Sequence, residues 1–449
     1  MDAFGTLLLT ILAALLALHV PRIVYSIAAL RGMGTSLEGG GRLRISVIVP
    51  ARQEPIELIR GLLVNLAGQK CRPYEVIIVW DWPATGYERV AREAWRFEKS
   101  GLRVRVVAKP WRGRGKASVL NYALRLVDGD AVLVVDVDDR LCSPEVLCAL
   151  ERLLSEHSVV QLGIRGVAPL HPLQRPTAVA IHAGFRVVHL GRESLGLPVL
   201  LVGSGLAARR GLLEKLGGFN EESIVEDVEL AIRCFLAGHR PVILPDSLCM
   251  SGAPGYRAFR RQQARWSRGV GAIASRYYRR LLGRGLQGLE LIYTLSSYAL
   301  DPLTLITAAA YAAYAMLAGG PLLPLYAYTI VSLLEALLAG LHASGAPVKN
   351  RVRAGATAAA MGVVLGPVLL VNWLRGVARR EGVFEVTPRR VSGRERPGRL
   401  ETLYSLSIGS VGLLASLKLG LLASFPILAP LLAILYLHVR LPMIAERRA

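Results

Sequence analysis

Three groups of carboxylates fall where apolar runs end. Ile45–Val49 leads into Pro50-Ala51-Arg52-Gln53-Glu54, Val76–Val79 into Trp80-Asp81, and Ala131–Val135 into Asp136-Val137-Asp138-Asp139. An Asp-x-Asp at a strand end can hold a hard divalent cation, because Mg²⁺ is typically bound by one or two carboxylates plus substrate phosphates. The same three aspartates could equally form a solvated turn or a helix cap. A fourth group, Glu226-Asp227, opens an amphipathic stretch with Leu230, Cys234 and Leu236 on one side. It supplies either a general base or N-capping residues. Gln262-Gln263-Ala264-Arg265-Trp266 follows, in which an indole and a guanidinium stand side by side. That pair suits a sugar platform with a phosphate clamp, or a membrane-interface Trp with a snorkelling Arg.

These residues need a scaffold that brings strand ends together. From Arg44 to about Pro245, short β-branched runs, including Val104–Val107, alternate with helix-like stretches such as Ile56–Gln69, Gly86–Ser100 and Lys116–Val127. That alternation predicts a mostly parallel sheet covered by helices, with ligands bound beyond the carboxyl ends of the strands. The chemistry is therefore expected after Val49, Val79 and Val135.

The rest of the chain reads as membrane. Charged residues make up 19% of its 449 residues, where soluble proteins carry about 25%, yet the net charge is +21. Apolar and basic together point to spans flanked by Arg and Lys rather than to nucleic-acid binding, which leaves long uncharged runs unexplained. Ala3–Leu30 is broken only by His19, Pro21 and Arg22, and is followed, not preceded, by positive charge. It is long enough to span a bilayer with its N-terminus outside. Further spans are expected near Leu289–Leu317, Leu322–His342, Thr402–Ala423 and Ile427–Val439. Asp301 and Glu335 fall inside two of them, either as a local ion pair or as polar partners along a wet pathway. Ala354–Leu374 is apolar enough to cross. A crossing there would place the eight-arginine loop from Arg375 to Arg399 outside, against the positive-inside rule. The expectation is a segment that lies along the cytosolic interface or dips in and returns, leaving about five crossings.

Two nucleotide signatures fail. Gly113-Arg114-Gly115-Lys116-Ala117 has Pro110 and Ala117 where a P-loop needs Gly and Ser/Thr, and Gly203-Ser204-Gly205 has Ala208 where a dinucleotide fingerprint needs its third Gly. Lys116 remains a cation for a diphosphate, and Gly203 and Ser204 a loop that a substrate can approach closely. The five cysteines, odd in number and without a CxxC, predict neither a disulfide framework nor a zinc site.

Taken in order, these motifs resemble the membrane-bound family 2 glycosyltransferases, the cellulose, chitin and hyaluronan synthase group. The resemblance covers roughly Ile45–Arg268 and a segment near Phe384. Pro50, Glu54 and Pro55 match the family's opening motif, Asp81 its nucleobase aspartate, Gly115, Lys116, Ala117 and Asn121 its Lys-Ala…Asn stretch, and Asp136 and Asp138 its Asp-x-Asp. Asp227, after Glu226, matches the catalytic base, and Gln262, Arg265 and Trp266 the last motif in full. Phe384, Val386, Thr387 and Arg389 are similar to the gating loop of polymerising synthases, with Arg389 in place of lysine. Arg52-Gln53, Trp80 and Ser251-Gly252 depart from the pattern.

The resemblance implies a GT-A-type nucleotide-sugar domain inserted between transmembrane helices of a multi-pass membrane protein. It implies inverting, metal-dependent sugar transfer from a nucleoside-diphosphate sugar, UDP-sugar first, to a growing polysaccharide or to a lipid acceptor. Asp138 and Asp136 would bind Mg²⁺ or Mn²⁺, and Pro50, Glu54, Asp81, Lys116, Asp136 and Arg265 the donor. Gln262, Trp266, Gly203 and Ser204 would meet the acceptor, and Asp227 with Glu226 would carry the base chemistry. A catalytically inactive sugar-binding scaffold is the reading from another class. The expected organisation is a membrane helix over 1–30, a cytosolic catalytic domain over 31–285, two spans over 286–343, an interfacial helix with the gating-like loop over 344–400, and two spans over 401–449.

Overall fold

β-branched runs and amphipathic stretches fold into an eight-stranded mixed sheet in the computed structural model, which describes residues 2–31, 43–82, 85–113, 115–167, 172–379 and 395–446. The strands are β1 (Ile45–Ala51), β2 (Glu75–Trp80), β3 (Val104–Ala108), β4 (Ala131–Val134), β5 (Arg140–Leu141), β6 (Val159–Val167), β7 (Leu206–Arg209) and β8 (Val242–Ser251). Their order is β3-β2-β1-β4-β7-β6-β8-β5, parallel through β4 and antiparallel at β7. Ala51 pairs with Trp80 and Trp80 with Ala108, so three of the carboxyl ends finish level. The four parallel strands stand where the β-branched runs predict them.

The helices are α1 (Ala3–Ala17), α2 (Val20–Leu30), α3 (Ile56–Ala67), α4 (Tyr87–Glu98), α5 (Gly115–Leu124), α6 (Val146–Glu156), α7 (Gln174–Phe185), α8 (Gly191–Glu193), α9 (Arg210–Lys215), α10 (Glu226–Leu236), α11 (Tyr256–Leu282), α12 (Gly285–Ala318), α13 (Leu323–Ser344), α14 (Arg351–Val377), α15 (Arg399–Leu419) and α16 (Leu421–Glu446). Side chains alternate across a strand, and the two faces of the sheet fill two cores. Val76, Ile78 and Trp80 pack on α3, α4 and α6 through residues such as Leu62, Val90 and Leu150. Ile77 and Val79 face the opposite core, which continues through Leu120, Leu230, Ile273 and Tyr277 into Leu291 and Leu295 of α12. The sheet layer and α12 thus share one hydrophobic core, which fixes their relative position.

Among the described residues, six helical segments are long and apolar enough to cross a membrane: Ala3–Leu30, α12, α13, α14, α15 and Leu421–Ile444. The turn between the last two is at Gly420, whose φ of +89° suits glycine, rather than after Ala423 as the hydropathy suggests. α14 is continuous through Gly366-Pro367, so the expected dip-and-return does not occur. It is tied to α11 at close quarters. Ser267 Oγ donates to Leu369 O (2.6 Å), Arg268 Nη2 to Asn372 Oδ1 (3.1 Å), and a Cβ on Gly376 would stand 2.0 Å from Arg268 O.

The cysteine expectation is overturned. Cys71 pairs with Cys148 and Cys142 with Cys249, leaving only the buried Cys234 free. The partners lie 77 and 107 residues apart in sequence. Sheet pairing of Arg140 with Cys249 and of Leu141 with Leu248 brings the second pair together, and no local spacing rule could have announced it.

Candidate active site

Two residues at neighbouring strand ends connect the level edge of the sheet to the site. Asp81 follows β2 and Lys109 follows β3, and Lys109 Nζ donates to Asp81 Oδ1 (2.8 Å) and to Trp111 O (2.8 Å). Lys109 is fully buried, and that carboxylate is its ion-pair partner. Trp80 turns the other way into the core, its indole N–H donating to Thr85 O. The departure at position 80 therefore changes packing beneath the site rather than the site wall.

At the second residue of α5, Lys116 Nζ donates to Asp136 Oδ1 (2.5 Å) and to Gly203 O (2.7 Å). Burial works against its charge, but Asp136, Glu226 and Asp227 outweigh it and hold the ammonium protonated above the ordinary lysine range. The backbone N–H of Asp136 donates to Ser204 Oγ (3.1 Å), which locks the strand end to the Gly203-Ser204 loop. Asp139 is 2% exposed, and burial followed by the charges of Asp138 and Asp136 pushes its carboxyl well up. The run is a turn, closed by Asp139 N donating to Asp136 O (3.0 Å), in which Asp139 is buried and Asp136 and Asp138 are partly exposed; it caps no helix.

Glu226 and Asp227 sit in the first turn of α10, where the helix dipole favours anions. The N-cap is Val225 with no side-chain bond, so neither carboxylate occupies the capping position. Asp227 Oδ1 accepts from Val228 N (2.8 Å), which leaves Oδ2 for other contacts. Burial raises both carboxyls, Glu226 additionally through the charge of Asp227. A Cβ at Gly203 would stand 3.1 Å from Asp227 Oδ2 and 3.3 Å from Lys116 Nζ. Gly203 is the point where α5, α10 and the β7 approach converge. Gly203→Ala is expected to displace Asp227 and Lys116 by a few tenths of an ångström. A ~1 Å misplacement costs about 10²-fold, so the expected loss of turnover is roughly tenfold with an unchanged melting temperature. Full turnover in that variant would show that the convergence is not used.

Gln262, Arg265 and Trp266, spaced i, i+3 and i+4, share one face of α11 over the same opening. Arg265 Nη1 donates to Ile224 O (3.4 Å); burial lowers its pKa, opposed by Glu226, Asp227 and Asp136. Trp266 packs partly on the core beside Tyr298 of α12. Asn121 proves structural, exchanging hydrogen bonds with Phe219 O and N (2.8 Å each).

A single cavity of 1630 Å³ is lined by Pro50, Glu54, Asp81, Lys116, Asp136, Asp138, Gly203, Ser204, Glu226, Asp227, Gln262, Arg265 and Trp266. All thirteen are residues the sequence singles out. Phe384, Val386, Thr387 and Arg389 lie outside the described residues. The cavity does not stop at the catalytic domain. It continues between helices of the bundle, past Tyr298, Asp301, Tyr328, Glu335 and Tyr404, to His19 and Arg22 of the N-terminal segment. Lys109 and Tyr298 escape sequence reasoning. The first shows only as a lysine ending a short strand, and the second only as a tyrosine in an apolar helix.

Among the described residues, two places offer metal-ligand chemistry. His19, Asp301 and Glu335 present ligand atoms within 4.8 Å of one another. Arg22 occupies that cluster, donating to Glu335 Oε1 and Oε2 (2.8 Å each) and to Asp301 Oδ1 (2.6 Å) and Oδ2 (2.9 Å), which satisfies the carboxylates without an ion. Asp136 and Asp138 give two hard oxygen donors on the cavity wall beside a buried ammonium. That set fits a divalent ion completed by phosphate oxygens.

Comparison with known proteins agrees with this geometry. The description "Glycosyl transferase family 2" matches residues 46–214, and "Glycosyl transferase family group 2" matches residues 131–341. A probable glycosyltransferase of Sulfolobus acidocaldarius is 24% identical over 416 residues, 86% of each chain. A cellulose synthase catalytic subunit of Komagataeibacter xylinus is 27% identical over 268 residues, 56% of this chain and 34% of that one. In fold, the chain is similar to a mannosyltransferase from Pyrobaculum calidifontis solved with GDP-Man and Mn²⁺, with a TM-score of 0.56 and 22% identity, over 83% of this chain and 100% of that one.

Proposed function

The chain belongs to glycosyltransferase family 2, and from that premise we propose that it transfers a sugar, with inversion, from a nucleoside-diphosphate sugar to a growing β-linked polysaccharide that leaves through the helix bundle. UDP-sugar is the donor read from the sequence. The observation that carries the proposal is the continuity of the cavity, from the carboxyl ends of β1, β2 and β4 to the polar groups His19, Arg22, Asp301 and Glu335 among the apolar helices. Ionisable groups at such depth usually face a wet pathway, and a chain of sugar hydroxyls needs such partners.

Asp81 would orient the nucleobase, with Lys109 holding it in place. Asp138 and Asp136 would hold Mg²⁺ or Mn²⁺; the ion, when bound, neutralises charge on the diphosphate. Lys116 and Arg265 would add fixed positive charge around the leaving group, which needs no reorganisation as bond cleavage proceeds. Asp227, partly buried and adjacent to Gly203, would take the proton from the acceptor hydroxyl as that oxygen attacks the anomeric carbon from the face opposite the diphosphate. Glu226, buried one residue before it and itself raised by burial and the Asp227 charge, would flank the base, and Gln262 and Trp266 would seat the acceptor sugar.

A second reading has its own support. The cavity wall from α13 and α14 is small and apolar, with Ala336, Ala339, Gly340, Ala359, Gly362 and Val363. Such a wall suits an alkyl chain, so the alternative is transfer of one sugar to a membrane lipid. Incubation of the reconstituted protein with radiolabelled nucleotide sugars, followed by sizing, separates the two. A polymer is the expected product, a labelled lipid of one sugar would assign the second reading, and no product from any donor would sink both.

The proposed topology has a cytosolic catalytic domain, an external N-terminus and five crossings, with α14 lying along the membrane surface. Both ends of α14 pack near helices of the catalytic layer, Ala354 in a buried cluster with Val179 of α7 and Gly376 against Arg268 of α11. This supports an in-plane helix over a crossing one, despite its length. A cysteine at Ser392, with only Cys234 replaced so that both disulfides survive, is expected to resist impermeant thiol reagents applied to intact cells. Labelling from outside would require six crossings.

A further inference from the structure

A second pocket, of 740 Å³, lies away from the catalytic cavity. Arg257, Arg260 and Arg261 reach it from the first turns of α11, Arg396 and Arg399 from the approach to α15, and His438 from α16. Two buried carboxylates stand beside it. Glu401 pairs with Arg260, and Glu395 accepts from the backbone N–H of Arg257 (3.1 Å). Five guanidiniums against two carboxylates leave an excess of three positive charges. Among the described residues Arg257, Arg261, Arg396 and Arg399 make no ion pair. Crowded like charges repel unless an anion joins them, and a guanidinium's planar fork matches phosphate oxygens two at a time.

The position indicates which anion. α15 and α16 form an antiparallel hairpin of two candidate spans, so the start of α15 and the end of α16 mark one membrane boundary. α11 brings the catalytic layer to that same boundary. Leu400 and Leu403, beside Arg399 on the first turn of α15, are 44% and 65% exposed, an apolar surface next to a basic pocket. We propose that the pocket binds the phosphate of an anionic lipid headgroup in the leaflet facing the catalytic domain, with the acyl chains descending along α15. The same helix carries Gln262 immediately after Arg261, and Arg265 and Trp266 about one turn further on, so a bound headgroup holds the first turns of the helix that closes the active site.

The test uses the full-length protein in phosphatidylcholine nanodiscs doped with phosphatidylglycerol, with retained lipid counted by native mass spectrometry. Wild type is expected to keep phosphatidylglycerol in preference to phosphatidylcholine. Arg261→Gln with Arg399→Gln is expected to weaken retention by roughly tenfold, on the scale of a charge-assisted hydrogen bond. Lysine at both positions should recover part of it. Arg279→Gln with Arg280→Gln, at the far end of α11, is the control for general basicity and should behave as wild type. Displacement of the lipid by equimolar inorganic phosphate would uphold the phosphate pocket and assign its ligand to the soluble phase. Retention unchanged in the glutamine variant, or lost equally in the control, would overturn the proposal.

Discussion

Asp227→Asn is expected to cut sugar transfer by about 10²- to 10⁴-fold, the range general-base catalysis contributes, while nucleotide-sugar affinity stays as in wild type. The amide keeps the shape and can still accept the hydrogen bond from Val228 N, so α10 should fold unchanged. What it loses is the ability to take a proton 3.1 Å from the position a Cβ on Gly203 would fill. The same residue sets a pH dependence. Burial raises the Asp227 carboxyl, and burial with the charge of Asp227 raises Glu226. A base works only when ionised, so kcat/KM should fall as pH drops through a value above the ordinary aspartate pKa of about 4. That acid limb should vanish from the residual activity of the variant. Asp138→Ala should also stop turnover, but through weaker nucleotide binding. Calorimetric titration with nucleotide distinguishes the pair, and equal loss of affinity in both variants would count against the roles assigned to them.

The contrast between these residues explains how far the sequence reaches. Asp81, Asp136 and Asp138 are legible because a parallel sheet with helical crossovers permits few topologies, and those topologies gather strand ends. Asp227 is legible only by family resemblance, since a helix-opening acidic pair has several uses; its burial and the bare Val225 cap decide among them. Lys109 was not legible. A lysine with no exposed surface exists only where a carboxylate compensates it, and Asp81 is 28 residues earlier in the chain. The disulfides fail for the same reason, because pairing at the far edge of the sheet is nonlocal. Asp301 and Glu335 were visible as misfits in apolar helices, but their partner lies more than 270 residues upstream, in a segment read only as an anchor.

That partner gives the second large effect. Arg22 joins three elements, with α2 contributing the guanidinium, α12 Asp301 and α13 Glu335. His19 completes the cluster, with Nδ1 3.0 Å from Glu335 Oε1 and Nε2 3.1 Å from Thr304 Oγ1. Arg22→Met leaves two carboxylates facing each other among apolar helices. Removing one partner of a buried ion pair costs about 3–5 kcal/mol. Asp301 is 60% and Arg22 24% exposed to the cavity, so the pair is only partly buried and the cost falls below that range. The variant should therefore melt several degrees below wild type in matched nanodiscs. Replacing all three, with Met at Arg22 and Leu at Asp301 and Glu335, removes the charges together. Such exchanges for apolar residues are often neutral or stabilising, so the triple variant should recover the melting temperature. Its activity then decides what the cluster is for. If the charges only hold helices together, product length returns with stability. If they serve the hydroxyls of a passing chain, the stable triple variant makes short products while its first transfer proceeds at the normal rate. That outcome is expected here, because the cluster lines the same cavity as Asp227 rather than a sealed helix contact.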